Sequence, residues 1–139
     1  MENLFEKCSL CPRRCGADRT SGRTGFCKMP DYPLVNLIKL HFGEEPIISG
    51  VNGSGTVFFE GCSLGCVFCQ NYSISRGPTG FGTKMSALEL SDAYLKLQDQ
   101  GACNINLVTP MHFTPVVADS VSLAKSSGLK IPVAVNCSA

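Results

Sequence analysis

Three cysteines lie close together in the middle of the chain with the spacing C-x3-C-x2-C. They are Cys62, Cys66 and Cys69, in the run FEGCSLGCVFCQN. Cysteine thiolates are the usual protein ligands of iron–sulfur clusters. A cubane cluster held by three thiolates leaves one iron without a protein ligand, and an open coordination position is typical of catalytic rather than structural metal sites. The triplet therefore predicts a 4Fe–4S cluster with one reactive iron.

The residues around the triplet predict a loop that follows a β-strand. The run 56–59 is β-branched and aromatic and comes after a glycine-rich turn signal. Gly61 and Gly65 let the backbone bend closely around a bulky inorganic core. Phe68 precedes the last cysteine, where it can shield a cluster and stack on an aromatic ligand. The alternative interpretation is a structural zinc site that takes its fourth ligand from elsewhere in the chain.

A second set of cysteines near the N-terminus has the spacing C-x2-C-x3-C-x11-C. Its members are Cys8, Cys11, Cys15 and Cys27. Four thiolates can close a tetrahedral zinc site or bind a second iron–sulfur cluster, and spacing alone does not distinguish the two. The alternative is that some of them are reduced surface thiols. Four arginines accompany these cysteines: Arg13, Arg14, Arg19 and Arg23. They could dock an electron donor, but we interpret them as a solvated basic loop.

Composition excludes several classes of protein. The chain has nine cysteines, an odd number, and its first residues lack an apolar signal core, which favours metal ligation over disulfides. The net charge of +1 provides no broad field for nucleic acid or an anionic membrane surface. No apolar run approaches the ~20 residues of a membrane helix. We therefore expect a cytoplasmic protein with no nucleic-acid or membrane partner. We interpret Cys103 and Cys137, which stand apart, as buried apolar residues.

Patterning divides the chain into a cysteine-rich segment (1–29), a connector (30–53) and an α/β core (54–139). The connector contains one strand-like run, 34–40. In the core, Ser86 and Glu89 form a capping box that opens a helix, and Thr114 with Pro115 opens another. The predicted order is strand 56–59, helix 86–101, strand 104–109, helix 114–128 and strand 131–135.

Strands that alternate with helices at this spacing favour parallel pairing with right-handed crossovers. Ligands in such folds bind at the carboxyl ends of the strands. The cysteine triplet, Thr109 and His112 all follow a predicted strand end, so we expect them on one side of the sheet. His112 is the candidate catalytic residue, because a histidine there could donate to a substrate or relay a proton. A packed, hydrogen-bonded histidine is the alternative.

The motifs together resemble the radical S-adenosylmethionine (SAM) superfamily and, at finer grain, its pyruvate formate-lyase activating enzyme-like branch. The resemblance extends over essentially the whole chain. It depends on the triplet with Phe68 before its last cysteine, on the run GA-x-NINLVTP-x-H at 101–112, and on the N-terminal elements C-x2-CPR-x-CG and GFC. It implies the N-terminal part of a partial parallel βα barrel, in which Cys62, Cys66 and Cys69 bind the cluster that ligates SAM.

The resemblance also implies further site residues. Phe68 would stack on the adenine, and Gln70 and Asn71 would hydrogen-bond the cofactor or cap the next element. Many members of the superfamily have a glycine-rich motif after the second strand that meets the methionyl amino group. This chain has Thr109 there, whose hydroxyl could serve instead, as could backbone carbonyls.

The activity implied is reductive cleavage of SAM to a 5′-deoxyadenosyl radical. The implied partners are a low-potential electron donor such as flavodoxin or ferredoxin, and a glycyl radical enzyme such as pyruvate formate-lyase as substrate. The family's barrel needs about twice as many βα units. We therefore expect a truncated, inactive fragment whose strand 131–135 is an exposed edge. The alternatives are an iron–sulfur electron-transfer module and a zinc-stabilised interaction domain.

Overall fold

The structure is a computed structural model that describes residues 3–137. The expected segments 1–29 and 54–139 extend into residues 1, 2, 138 and 139, which lie outside the described part. The strands are β1 (Leu34–His41), β2 (Ser54–Phe59), β3 (Thr83–Lys84), β4 (Ile105–Val108) and β5 (Val133–Asn136). The helices are α1 (Pro46–Ser49), α2 (Tyr72–Ser75), α3 (Ala87–Asp99) and α4 (Thr114–Ser126), and a 3₁₀ turn at Met111–Phe113 precedes α4.

The prediction of a parallel βα barrel is wrong. The described residues form one open, mixed sheet of five strands in the order β3-β1-β2-β4-β5. Strands β2, β4 and β5 are parallel, but β1 pairs antiparallel with both β2 and β3. This part of the chain is therefore a small mixed α/β domain.

The antiparallel strand β1 comes from the connector. Only residues 42–53 separate β1 from β2. Parallel neighbours need a crossover of a dozen or more residues, usually a helix, and this connection contains only the four-residue α1. The register places Ile38 opposite Val57 and Lys39 opposite Thr56, so β1 continues both faces of the sheet.

The predicted helix starts in the core are confirmed. The Ser86 hydroxyl accepts a hydrogen bond from the Glu89 backbone amide, and the Glu89 carboxylate accepts one from the Ser86 amide, which completes the capping box of α3. Helix α4 begins at Thr114, with Pro115 in its first turn. Within residues 3–137, no helix is long and apolar enough to cross a membrane.

The hydrophobic core lies between the two long helices and one face of the sheet. Apolar side chains of β2 and β4 pack there against Leu90, Tyr94 and Leu97 of α3 and against α4. The Tyr94 hydroxyl lies 3.1 Å from the Ser120 hydroxyl, which joins the helices within the core. Strand β5 is an edge of the sheet, with Val135 55% exposed. The crossovers through α3 and α4 place the carboxyl ends of β2, β4 and β5 at one edge of the domain.

Candidate functional site

The cysteine triplet lies on the loop that leaves the carboxyl end of β2. Cys62, Cys66 and Cys69 are free and half-buried. The loop turns at Gly61 and Gly65, whose φ angles of 76° and 72° disfavour other residues. A Cβ at Gly61 would meet the Met29 side chain and lie 2.9 Å from the Cys27 carbonyl oxygen. The loop is thus packed closely against the N-terminal segment.

The donor set of this loop fits an iron–sulfur cluster by its chemistry. Three thiols lie within eight residues of one glycine-bent loop, and the Leu64 backbone amide donates to the Cys62 sulfur at 3.3 Å. Amide-to-sulfur hydrogen bonds are one of the means by which proteins adjust the potential of such clusters. Among the described residues, no three His, Cys, Asp or Glu side chains are already grouped as a metal site. The fit therefore rests on ligand type and on the shared loop.

The side chains expected to contact a cofactor line the outer part of this loop. Phe68 is 84% exposed, so its ring is available to stack on a ligand. Gln70 and Asn71 are also exposed. Asn71 occupies the cap position of α2, and its backbone carbonyl accepts from the Ile74 and Ser75 amides, but its side chain makes no capping bond. The roles of these residues in binding a cofactor remain predictions.

Thr109 follows β4 in a strained backbone conformation. Its φ is 58°, in the left-handed region that β-branched residues rarely adopt. Its amide donates to the Asn136 carbonyl at 2.8 Å, which ties the ends of β4 and β5 together. Strain of this kind is concentrated at functional sites. The half-buried Thr109 thus remains a candidate on the same edge of the sheet as the cysteine loop.

His112 is buried behind the strand ends and is 1% exposed. Its Nε2 lies 2.8 Å from the Glu60 carbonyl oxygen and donates a hydrogen bond to it. This bond fixes the backbone at Glu60, the residue that leads into the cysteine loop. The Nδ1 of His112 is buried without a hydrogen-bond partner among the described residues. Burial lowers the pKa of His112 to about 4, and the nearby Arg19 charge acts in the same direction. The histidine is therefore neutral at pH 7.

The lowered pKa of His112 predicts a loss of stability in mild acid. In the unfolded chain this histidine takes up a proton near its ordinary pKa of 6.5, whereas the folded chain resists protonation down to about 4. The stabilisation is full above pH 6.5 and is lost as the pH falls to 4, by about 3 kcal/mol. Urea unfolding of the parent chain and of His112→Gln between pH 7 and 4 measures it. The parent should lose about 3 kcal/mol more than the variant.

His41 provides the matched control for this measurement. It lies at the half-buried end of β1, away from His112. Because His112 is retained, His41→Gln should keep the acid dependence of the parent chain. A His112→Gln variant with the same acid dependence as the parent would contradict the assignment.

The N-terminal cysteines belong to an irregular segment folded against the domain. Cys8 and Cys27 are buried, Cys11 is half-buried and Cys15 is exposed, with its sulfur against Gly25. Burial raises the pKa of the Cys27 thiol; the Met29 backbone amide and the Arg19 charge oppose the rise, and the neighbouring Cys8 and Cys11 add to it. Three of the four thiols are therefore close enough to influence one another.

The interpretation of the arginines as a solvated basic loop is wrong for Arg19. This residue is 1% exposed. Its Nη1 donates to the His112 carbonyl at 2.6 Å, and its Nε donates to the Pro30 carbonyl at 2.9 Å. Nη1 also lies 3.6 Å from the Cys8 sulfur. In the part of the chain that the structure describes, the only ion pair joins Arg23 to Asp18, so the buried Arg19 is held by carbonyl groups rather than by a carboxylate.

Several residues that support the site were not predicted from the sequence. Glu60 immediately precedes the loop and is fully buried. Its carboxylate accepts from the Asn36 amide at 2.9 Å and from the Thr79 backbone amide at 3.1 Å, and also from the Thr79 hydroxyl. Its position one residue before the Gly61–Cys62 step is the signal that could have identified it. Arg13 and Arg76 hold the loop itself, from either side.

Comparison with known proteins gives one informative relative. An uncharacterized protein of Methanocaldococcus jannaschii is 40% identical over 75 residues, which cover 54% of this chain. The match spans 21% of that relative's own length, so the chain corresponds to about a fifth of it. No family model matches the chain, and no solved structure matches it.

Proposed function

We propose that this chain carries the cluster-binding part of a radical SAM enzyme. The observation that carries the proposal is the C-x3-C-x2-C triplet on one glycine-bent loop at the carboxyl end of β2. Cys62, Cys66 and Cys69 would hold a 4Fe–4S cluster and leave one iron open for the amino and carboxylate groups of SAM. A cluster held there would supply the electron that cleaves the sulfonium of SAM into methionine and a 5′-deoxyadenosyl radical.

The chain's own residues would orient the cofactor. The exposed ring of Phe68 provides a stacking surface beside Cys69, and Thr109 presents a hydroxyl and backbone groups from the neighbouring strand end. His112 is neutral and fixes the backbone at Glu60 rather than facing solvent. A catalytic role for His112 would therefore require its buried Nδ1 to become accessible.

The electron would come from a low-potential donor such as flavodoxin or ferredoxin. The hydrogen atom would come from a backbone glycine of a partner enzyme of the pyruvate formate-lyase type. The substrate part of this proposal depends on the motif resemblance at 58–72 and 101–112, whereas the cluster part depends on the loop described above.

Anaerobic reconstitution tests the proposal. The chain and its M. jannaschii relative are incubated separately with iron and sulfide, reduced, and mixed with SAM. We expect both to acquire a cluster whose electron paramagnetic resonance (EPR) spectrum changes when SAM is added, and the relative to form 5′-deoxyadenosine. A cluster that is insensitive to SAM in both proteins would favour the electron-transfer alternative. Failure of both to retain iron and sulfide would leave the zinc-stabilised domain.

We also propose that the N-terminal cysteines bind a second metal, either zinc or iron. Cys8 and Cys27 are buried close to the Arg19 cation, and Cys11 lies near them. Four thiolates suffice to close such a site, so its role would be to stabilise the segment. The burial of Cys8 and Cys27 argues against surface thiols at these two positions.

Substitution of Cys11 should remove this second metal without affecting the triplet. Cys11→Ser replaces a soft ligand by a hard hydroxyl, and we expect the chain to lose about one zinc, or one cluster, per molecule. Elemental analysis after purification under reducing conditions measures the loss. Cys137→Ser is the matched control, because Cys137 is an exposed cysteine outside both sets. Equal metal content in the two variants would contradict the second site.

A further inference from the structure

Four consecutive carbonyl groups of the cysteine loop are bound by two arginine side chains. Arg13 donates from Nε to the Ser63 carbonyl at 2.7 Å and from Nη2 to the Leu64 carbonyl at 3.1 Å. Arg76 donates from Nη1 to the Gly65 carbonyl at 2.9 Å and from Nη2 to the Cys66 carbonyl at 2.6 Å. The backbone from the first cysteine of the triplet to the second is thus held by two guanidinium forks.

The two arginines approach the loop from different parts of the chain. Arg13 lies between Cys11 and Cys15 in the N-terminal segment, and Arg76 follows α2 directly. Each guanidinium lies over an aromatic ring, Arg13 at 3.8 Å from the Phe26 centroid and Arg76 at 4.8 Å from the Tyr72 centroid. Such cation–π contacts restrict where the guanidinium can lie. Each guanidinium is therefore held by an aromatic ring as well as by its hydrogen bonds to the loop.

Binding the carbonyls has an electrostatic consequence for the thiols. A peptide carbonyl and the amide hydrogen of the same peptide plane point in opposite directions. The arginines bind the carbonyl side of these four peptides, so the amides of the same peptides point to the opposite side, and the first of them, the Leu64 amide, donates to the Cys62 sulfur at 3.3 Å. Two positive charges bound to the loop also favour the more negative state of any group that the loop holds.

We propose that Arg13 and Arg76 are positioning residues that clamp the cysteine loop in its ligand-presenting conformation and raise the reduction potential of the cluster. The clamp itself is a property of the metal-free fold. Its effect on a potential rests on the proposed function. The clamp also gives the N-terminal segment a role at the cluster. Arg13 lies between Cys11 and Cys15 in the sequence, so the metal proposed to bind these two cysteines would restrain the backbone that carries Arg13.

Hydrogen exchange of the metal-free chain tests the clamp by itself. In Arg13→Gln and in Arg76→Gln, the amides of Leu64 and Cys69 should exchange about tenfold faster, as expected for the loss of about 1.4 kcal/mol of local stability. Amides in α3 and β4 should keep their parental rates. Arg23→Gln removes an equal charge from the N-terminal segment, where Arg23 pairs with Asp18, and should leave the loop unchanged.

The reconstituted protein tests the effect on the cluster. A reductive titration followed by EPR should give a more negative midpoint potential in both glutamine variants than in Arg23→Gln. Arg13→Lys keeps the charge but lacks the planar fork that spans two carbonyls. We therefore expect it to restore the potential and to leave the loop amides in fast exchange, a combination that a purely structural role would not produce.

The outcomes separate the clamp from the proposed function. Loop exchange in Arg13→Gln and Arg76→Gln that matches Arg23→Gln would overturn the clamp, whatever the metal content. Unchanged potentials with faster exchange would overturn its electrostatic effect. If the parent chain takes up no cluster, the proposed function fails and the potential claim fails with it. The exchange result then still decides whether the arginines fix the loop.

Discussion

Replacement of Cys66 by serine should remove the cluster from the triplet. The hydroxyl is a hard donor that iron–sulfur clusters do not favour, and a triplet has no spare ligand to take its place. We expect Cys66→Ser to retain about four fewer iron atoms per chain than the parent after anaerobic reconstitution. The change that SAM causes in the EPR spectrum should also be lost. Iron and sulfide analysis together with EPR measure both effects.

Two cysteines lie outside both sets, and one of them, Cys137, supplies the control for this substitution. Cys103 is half-buried beside α1, where its thiol donates to the Gly53 carbonyl at 3.0 Å, and Cys137 is exposed after β5. The expectation that both are buried apolar residues is therefore wrong for Cys137. Cys137→Ser should bind as much iron as the parent. Full iron content together with the SAM response in Cys66→Ser would show that this cysteine is not a ligand.

Replacement of Arg19 by methionine should destabilise the metal-free domain by about 3 kcal/mol. The variant keeps an apolar side chain of similar length between Phe5 and Phe113 but leaves the carbonyls of Pro30 and His112 without their donor. Hydrogen bonds from a charged group contribute about 1.5–3 kcal/mol each, and removal of the buried charge offsets part of the loss. Urea unfolding at pH 7 under reducing conditions measures the change.

The matched control is Arg23→Met on the same segment. Arg23 pairs with Asp18 at the surface, at 3.4 Å, with its own side chain 76% exposed. Exposed pairs of this kind contribute between about 0 and 1 kcal/mol. If Arg19→Met were no less stable than Arg23→Met, the N-terminal segment would not be anchored to the β4 end through Arg19.

Much of the local structure could be predicted because its causes are local. The capping box of α3 involves residues three apart, and the start of α4 needs only Thr114 and the following proline. The three thiols of the triplet lie within eight residues, so their presence on one loop is visible in the sequence. In the same way, the parallel strands of the core follow from strand–helix alternation.

The barrel prediction failed because the connector was not given a place in the sheet. The run at 34–40 reads as a strand, but nothing local indicates which strand it pairs with or in which direction. In the structure this run is part of the eight-residue strand β1. Because β1 pairs antiparallel with both β2 and β3, the sheet is mixed. Pairing partners depend on contacts between distant residues, which periodicity within one strand does not encode.

The sequence alone determined that three thiols share one glycine-bent loop, since thiol spacing and glycine turns are short-range properties. Only the tertiary structure decided how that loop is held. Arg13 meets Ser63 across 50 residues, Arg19 meets the His112 carbonyl across 93, and His112 meets the Glu60 carbonyl across 52. Side-chain to main-chain bonds of such separation leave no periodic trace, because the carbonyl that accepts them is the same in every residue.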